Sequence, residues 1–193
     1  MNINYRSAIE SKIERIISNS DVPEDYKHAK SVRDWLLKFK PDADWALKLA
    51  GFAHDIERAL PRRKVHRSKY SNYNDFKRAH AQNSAKIIEE ILDKYPVSNR
   101  VKNRVINLIE NHELSESKDP DIIDLIDADG VSFFEVNLPY YAERNDDSEV
   151  FFRMKWGYGR LSERARKFVK KFYYEDERLN EFLGRIILNI CDC

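Results

Sequence analysis

The stretch Leu49-Ala50-Gly51-Phe52-Ala53-His54-Asp55-Ile56-Glu57-Arg58 is the one on which the fold turns. It lies between Pro41 and Pro61, two breakers that bracket a helix. Trp45, Ala46, Leu49, Ala50, Phe52, Ala53, Ile56 and Leu60 give that helix an apolar face broader than a surface helix needs, so a central position is expected. Within it sits an adjacent histidine and aspartate. Burying a carboxylate is expensive unless a cation or several hydrogen bonds compensate, so the pair calls for a partner.

Outward from this element the apolar spacing is helical throughout. Ile9, Ile13, Ile16 and Ile17 stripe a first helix, and Val32, Leu36 and Phe39 a second from about Tyr26 to Phe39. The segment from Arg62 to Asn74 is basic, aromatic and aperiodic, which reads as a loop. Ala81, Ala85, Ile88 and Leu92 mark a fourth helix; after Pro96, Ser98 is a candidate N-cap for a fifth, carried by Val101, Val105, Ile106 and Ile109 toward His112. Asp119-Pro120 is a helix start, with a carboxylate for the orphan amides and proline at the first helical position. Ile122, Ile123, Leu125, Ile126, Val131, Phe133 and Phe134 then make a nearly all-apolar helix. Residues 137–159 read as irregular, with a short strand at Val150–Phe152 and a hairpin near 150–160. After Ser162 the spacing gives one long helix or two joined near Glu175 to Glu177. Five glycines and six prolines in 193 residues favour long helices over a turn-rich sheet. The expectation is an all-α, compact helical bundle forming a single domain over 1–193.

Hydrophobic residues make up 42%, which argues against disorder, and 34 Lys plus Arg balance 33 Asp plus Glu. The net charge of +1 gives no global attraction to nucleic acid or to an acidic membrane. No run approaches ~20 apolar residues, and Met1 to Arg6 lacks the apolar core of a secretory signal. The only cysteines, Cys191 and Cys193, are one residue apart and cannot staple the fold; a soft metal there is conceivable chemically, but two thiols at a chain end read first as incidental. A cytoplasmic, reducing setting is the expectation. The apolar C-terminal helix can support a homodimer.

Of the five histidines, His28, His54, His80 and His112 lie in apolar-periodic segments, whereas His66 lies in the basic loop. A second buried-carboxylate signal is Asp127-Ala128-Asp129, inside Leu125 to Phe134. His28, then His54-Asp55, then a distant Asp129, each on a separate helix, resembles the motif of the HD-domain phosphohydrolase superfamily. The resemblance covers residues 26–135, leaving 137–193 as a C-terminal extension. It implies an HD-domain-like bundle in which His28, His54, Asp55 and Asp129 ligate a divalent metal. It also implies that His80 and His112, which fall between the pair and the last aspartate, hold a second ion as in some members. Asp127 is expected instead to orient a histidine or to be a helix-surface charge. The donor set suits manganese or iron, with zinc, nickel or magnesium as further candidates.

The function implied is metal-dependent hydrolysis of a small phosphate ester, with a nucleotide among the candidates. A divalent ion lowers the pKa of bound water toward ~7 and polarises phosphoryl oxygen. Asp55, His80 and His112 are the candidate catalytic groups, Asp55 as ligand or proton acceptor and the histidines as metal ligands or leaving-group acids. Arg58, Arg62, Arg63, Lys155 and Arg160 are the candidate substrate contacts, and Tyr70, Tyr73 and Tyr140 candidate stacking rings. A solvated loop or helix face is the plainer reading of these basic residues. Ile56-Glu57-Arg58 departs from the acidic pair of the alarmone-hydrolase branch, and Gly157-Tyr158-Gly159 from the signature of the cyclic-dinucleotide branch. The alternatives are a non-catalytic nucleotide-binding regulatory domain and a di-iron oxygenase. A nucleic-acid-binding protein is disfavoured by the charge balance.

Overall fold

The computed structural model describes residues 3–113 and 117–191. The described residues are helical with no strand. In chain order the α-helices are α1 (Ile3–Ser18), α2 (Asp25–Phe39), α3 (Trp45–Ala53), α4 (Tyr73–Leu92), α5 (Asn99–Asn111), α6 (Pro120–Ser132), α7 (Leu138–Arg144), α8 (Asp147–Arg160), α9 (Glu163–Val169) and α10 (Glu177–Cys191). Short 3-10 turns lie at Ile56–Ala59 and Arg67–Lys69, and a π-helical turn at Phe133–Asn137 links α6 to α7.

Local chemistry sets the helix starts. The carboxylates of Asp44, Asp119 and Asp146 accept hydrogen bonds from the amides of Leu47, Asp121 and Glu149, and the Ser162 hydroxyl accepts from Ala165. Ser98 occupies the position before α5, but its side chain makes no capping bond.

α2 packs on α3 and α6, α5 packs on α3 and α4, and α8 and α9 cover the far side of α6. Ile9 and Ile13, Val32 and Leu36, Leu47 and Ala50, Ile88 and Leu92, Val105 and Ile109, and Leu125 and Val131 are all fully buried between these layers. Each large side chain so buried contributes roughly 1.5–3 kcal/mol. The contact between α6 and the start of α9 depends on Gly130: a Cβ there would lie 2.4 Å from Leu161 Cδ2. No helix of the described residues is long and apolar enough to cross a membrane.

Three expectations are corrected. The helix between the two prolines runs only to Ala53; the chain turns at His54–Asp55 and re-forms as the 3-10 turn, so the pair stands at a helix end rather than inside one. The expected strand and hairpin at 150–160 are helix α8. Its glycines do not reverse the chain, since none has positive φ. A Cβ at Gly157 would meet the end of the flexible Arg153 side chain at 3.3 Å and make an ordinary contact with Phe134 at 3.7 Å. The irregular region expected from 137 onward is likewise helical, as α7 and α8. Beyond Ser162 the chain forms two helices, α9 and α10, and the Cys191 and Cys193 thiols lie outside the described side chains.

Candidate metal centre

The four histidines of apolar segments come together from four elements. His28 projects from α2 and His80 from α4, while His54 and His112 cap the C-terminal ends of α3 and α5. All four are nearly or completely buried. The His28 and His54 rings are 5.3 Å apart, His54 and His112 5.0 Å, and His80 and His112 6.3 Å.

Each ring is oriented through Nδ1. At the ends of α3 and α5, the His54 and His112 Nδ1–H groups donate to the carbonyls of Gly51 (2.9 Å) and Ile109 (2.6 Å), carbonyls that a helix terminus leaves without an amide. His28 Nδ1 is 2.8 Å from Ser132 Oγ, whose own hydroxyl donates to the His28 carbonyl, so the ring nitrogen is the donor. His80 Nδ1 is 2.7 Å from Glu57 Oε1. With Nδ1 carrying the proton, a neutral ring presents a bare Nε2 lone pair. The Nε2 atoms of His54 and His112 are buried without a hydrogen-bond partner.

Two carboxylates face these nitrogens. Asp129 Oδ1 is 3.3 Å from His28 Nε2 and 3.4 Å from His54 Nε2. Asp55 Oδ2 is 3.8 Å from His28 Nε2, and its Oδ1 is 3.6 Å from His54 Nε2 and 2.6 Å from His80 Nε2. Bare lone pairs facing a carboxylate repel, so either a proton or a metal cation must lie between them. Without a metal the proton takes that place. Burial alone would lower the His54 pKa, but Asp55 and Asp129 outweigh it and push it up to about 9. His80 is raised for the same reason, against its burial, by Asp55 and Glu57, while burial prevails at His28 and lowers it. Burial would raise both carboxyls, yet His54, His80 and Arg58 hold Asp55, and His28 and His54 hold Asp129, well below the usual carboxylate range.

Three overlapping groups can each hold an ion: His28, His54 and Asp129; His54, Asp55 and His112; and His80, His112 and Glu113, with the ligand atoms of each group within 4.8 Å of one another. The buried His/Asp/Glu set can therefore bind metal. All six metal-ligand candidates, His28, His54, Asp55, His80, His112 and Asp129, are brought together, and His66 stands apart in the 62–74 segment as expected.

The sequence reading missed Glu113 and Glu57. Glu113 is buried between Lys77 and Arg160, the latter at 2.9 Å, which together hold its carboxyl well below its ordinary value against the effect of burial. Its cations come from α4 and α8, and only the fold joins them. Glu57 accepts from the Val65 amide (2.5 Å) and Asn83 (3.3 Å) while its other oxygen holds His80. Glu113 had one local signal, its place beside His112, whereas nothing in the sequence joins Glu57 to His80.

Asp127 neither orients a histidine nor faces solvent. It is fully buried and accepts from the Ser162 amide (2.8 Å), the Ser162 hydroxyl (2.5 Å) and Arg164 (3.0 Å), tying α6 to the start of α9.

A cavity of about 260 Å³ opens beside His80 and Glu57. Of the expected substrate contacts, only Arg58 lines it, bridging Asp55 (2.7 Å) and Asp25 (3.1 Å). Arg63 pairs with Glu90 at 2.6 Å, Arg62 and Lys155 are solvent-exposed away from its walls, and Arg160 is buried behind it, donating to the His112 carbonyl at 2.7 Å. Lys64, Arg67, Lys77, Arg144 and Arg153 supply the basic lining instead, and Tyr73 is the one expected ring among its walls. Tyr140 bonds Lys27 at 2.9 Å.

No curated protein and no solved structure matches the chain. A family described as a domain of unknown function, DUF4202, matches residues 7–181, a span that takes in every helix of the cluster, and the chain belongs to that family.

Proposed function

We propose that the chain is a metal-dependent phosphohydrolase of the HD-domain kind, acting on a small phosphate ester. The observation that carries the reading is the common orientation of four buried imidazoles: each is fixed through Nδ1, and Nε2 faces Asp55, Asp129 or Glu113. Outer hydrogen bonds that fix the tautomer of inward-pointing histidines are the ordinary support of a metal site. His28, His54, Asp55 and Asp129 are suited to one ion, and His80 and His112, with Asp55 between the two ends, to a second. Glu113 adds a carboxylate at the second end. A bound divalent ion supplies Lewis acidity and brings water to its hydroxide form near neutral pH.

The chain's own groups do the rest. Arg58 and Lys77 line the cavity next to His80 and offer positive charge to a phosphoryl group. Asp55, held ionised, is placed to accept a proton, and His80 to hold or return one through Nε2. Phe76 and Phe133 form apolar walls that limit water.

One observation favours a second reading, a non-catalytic ligand-binding domain. His80 already bonds both Asp55 and Glu57, which is a closed network with a proton where a second ion would sit. Turnover separates the two. Protein supplied with manganese or iron(II) is expected to release inorganic phosphate from p-nitrophenyl phosphate or from a panel of sugar and nucleoside monophosphates, and a chelator is expected to stop it. Tight binding of phosphate esters with no turnover in any metal would favour the binding domain instead.

A further inference from the structure

The cavity beside His80 has two features that the metal centre leaves unused. Asn137, the last residue of the π-helical turn, lines it; the residue is 5% exposed, and its Oδ1 is buried with no hydrogen-bond partner. Such an acceptor costs free energy unless something donates to it. π-helical turns are frequent at functional sites because they re-aim side chains out of the regular helical register.

The second feature is uncompensated positive charge. Arg58, Lys77 and Arg144 each have carboxylate partners in the protein, Asp55 and Asp25, Glu113, and Glu24. Lys64, Arg67 and Arg153 line the same cavity and form no ion pair among the described residues. Arg67 and Arg153 nevertheless both lie by the Tyr73 ring, at 5.7 and 5.9 Å, and Arg153 also stacks on Phe133 at 4.1 Å. The carboxylates of this cavity are engaged elsewhere, Glu24 with Arg144, Glu57 with His80 and Glu149 with the Tyr141 hydroxyl, so an anion bound here would relieve the repulsion of the two guanidiniums.

We infer that the cavity takes a small phosphate ester carrying a second acidic group. The reacting phosphate faces His80, Arg58 and Lys77, the second group is held by Lys64, Arg67 and Arg153, and Asn137 accepts a hydrogen bond from a hydroxyl between them. The assignment of the first phosphate rests on the proposed hydrolase reading; the second subsite and Asn137 rest on the cavity alone. A volume of about 260 Å³ suits a sugar-sized molecule, below the roughly 300–1,000 Å³ of drug-sized sites.

The test is calorimetric titration of the full chain with fructose 1,6-bisphosphate and fructose 6-phosphate, with metal content measured on the same samples. The bisphosphate is expected to bind at least ~10-fold more tightly, the scale of one charge-assisted contact. In Lys64→Ala/Arg67→Ala that preference is expected to fall below ~3-fold, and Asn137→Ala is expected to weaken both ligands together. Arg153→Met, which keeps the contact with Phe133, provides a second variant should the loop pair fail to fold. Equal affinity for the two ligands, no binding of either, or a preference untouched in both variants would overturn the inference. Protein that takes up no metal on reconstitution yet still prefers the bisphosphate would leave the subsite standing and remove the hydrolase reading, whereas metal-loaded protein that hydrolyses monophosphates without preference would do the reverse.

Discussion

Oδ1 of Asp55 lies 2.6 Å from Nε2 of His80, while the other carboxylate oxygen faces His28 and Arg58. One side chain thus touches both ends of the buried cluster. The turn that ends α3 makes this possible, since it frees the aspartate from the helix surface on which His54 is fixed.

His80→Ala tests that division. Where the wild-type chain holds two equivalents of metal, loss of His80 is expected to lower them to one, with His28, His54 and Asp129 still filled. Elemental analysis of the purified variant reads this directly, and an unchanged content would remove His80 from the ligand set.

Glu57→Gln keeps the volume of a side chain that touches no proposed ion but holds His80 Nδ1 at 2.7 Å. Outer-shell substitutions of this kind typically cost about 10–100-fold in metal affinity or activity. Competition against a chromophoric chelator measures the change, and an affinity within about twofold of wild type would show that Glu57 does not orient the ring.

Gly130→Ala places a methyl against buried Leu161, at 2.4 Å from Cδ2 before any adjustment. Overpacking a filled core costs about 1–3 kcal/mol. Urea denaturation is expected to show a loss of that size, and a midpoint equal to wild type would mean that α6 and the chain before α9 can separate freely.

The helices and the histidine–aspartate set were legible because each announces itself locally. Asp119-Pro120 starts α6 by chemistry contained in two residues, and a histidine within an apolar period is visible without the fold. What failed was local in the wrong way. Gly157 and Gly159 suggested a turn, yet both continue α8 without positive φ, so the conformational freedom they offer is not used. Arg62 and Arg63 matched Lys64 and Arg67 in charge, but only the course of the loop decides which of them reach the cavity. Asp127 carried the same signal as Asp129, and its role emerged only when Ser162 came against it.

Acid should weaken the bundle at Asp121. Burial would raise its pKa, but bonds from Lys40 (2.6 Å) and Arg104 (2.5 Å) outweigh it and hold the folded value below the ordinary 3.8. A carboxyl with a lowered folded pKa stabilises the native state above its unfolded value and loses that contribution as pH falls through the folded one. Asp121→Asn is therefore expected to be less stable than wild type at pH 7, with the difference shrinking as pH drops below 3.8. A difference that stays constant into that range would assign the effect to packing.

The central claim is that the four buried imidazoles with Asp55 and Asp129 hold metal. Quantitative elemental analysis of the untreated chain, beside His54→Ala, tests it most directly. One or two equivalents of a divalent metal, iron or manganese first among the candidates, are expected in the wild-type chain, with loss of metal in the variant. A wild-type chain that binds none, even after reconstitution with each candidate ion, would contradict it.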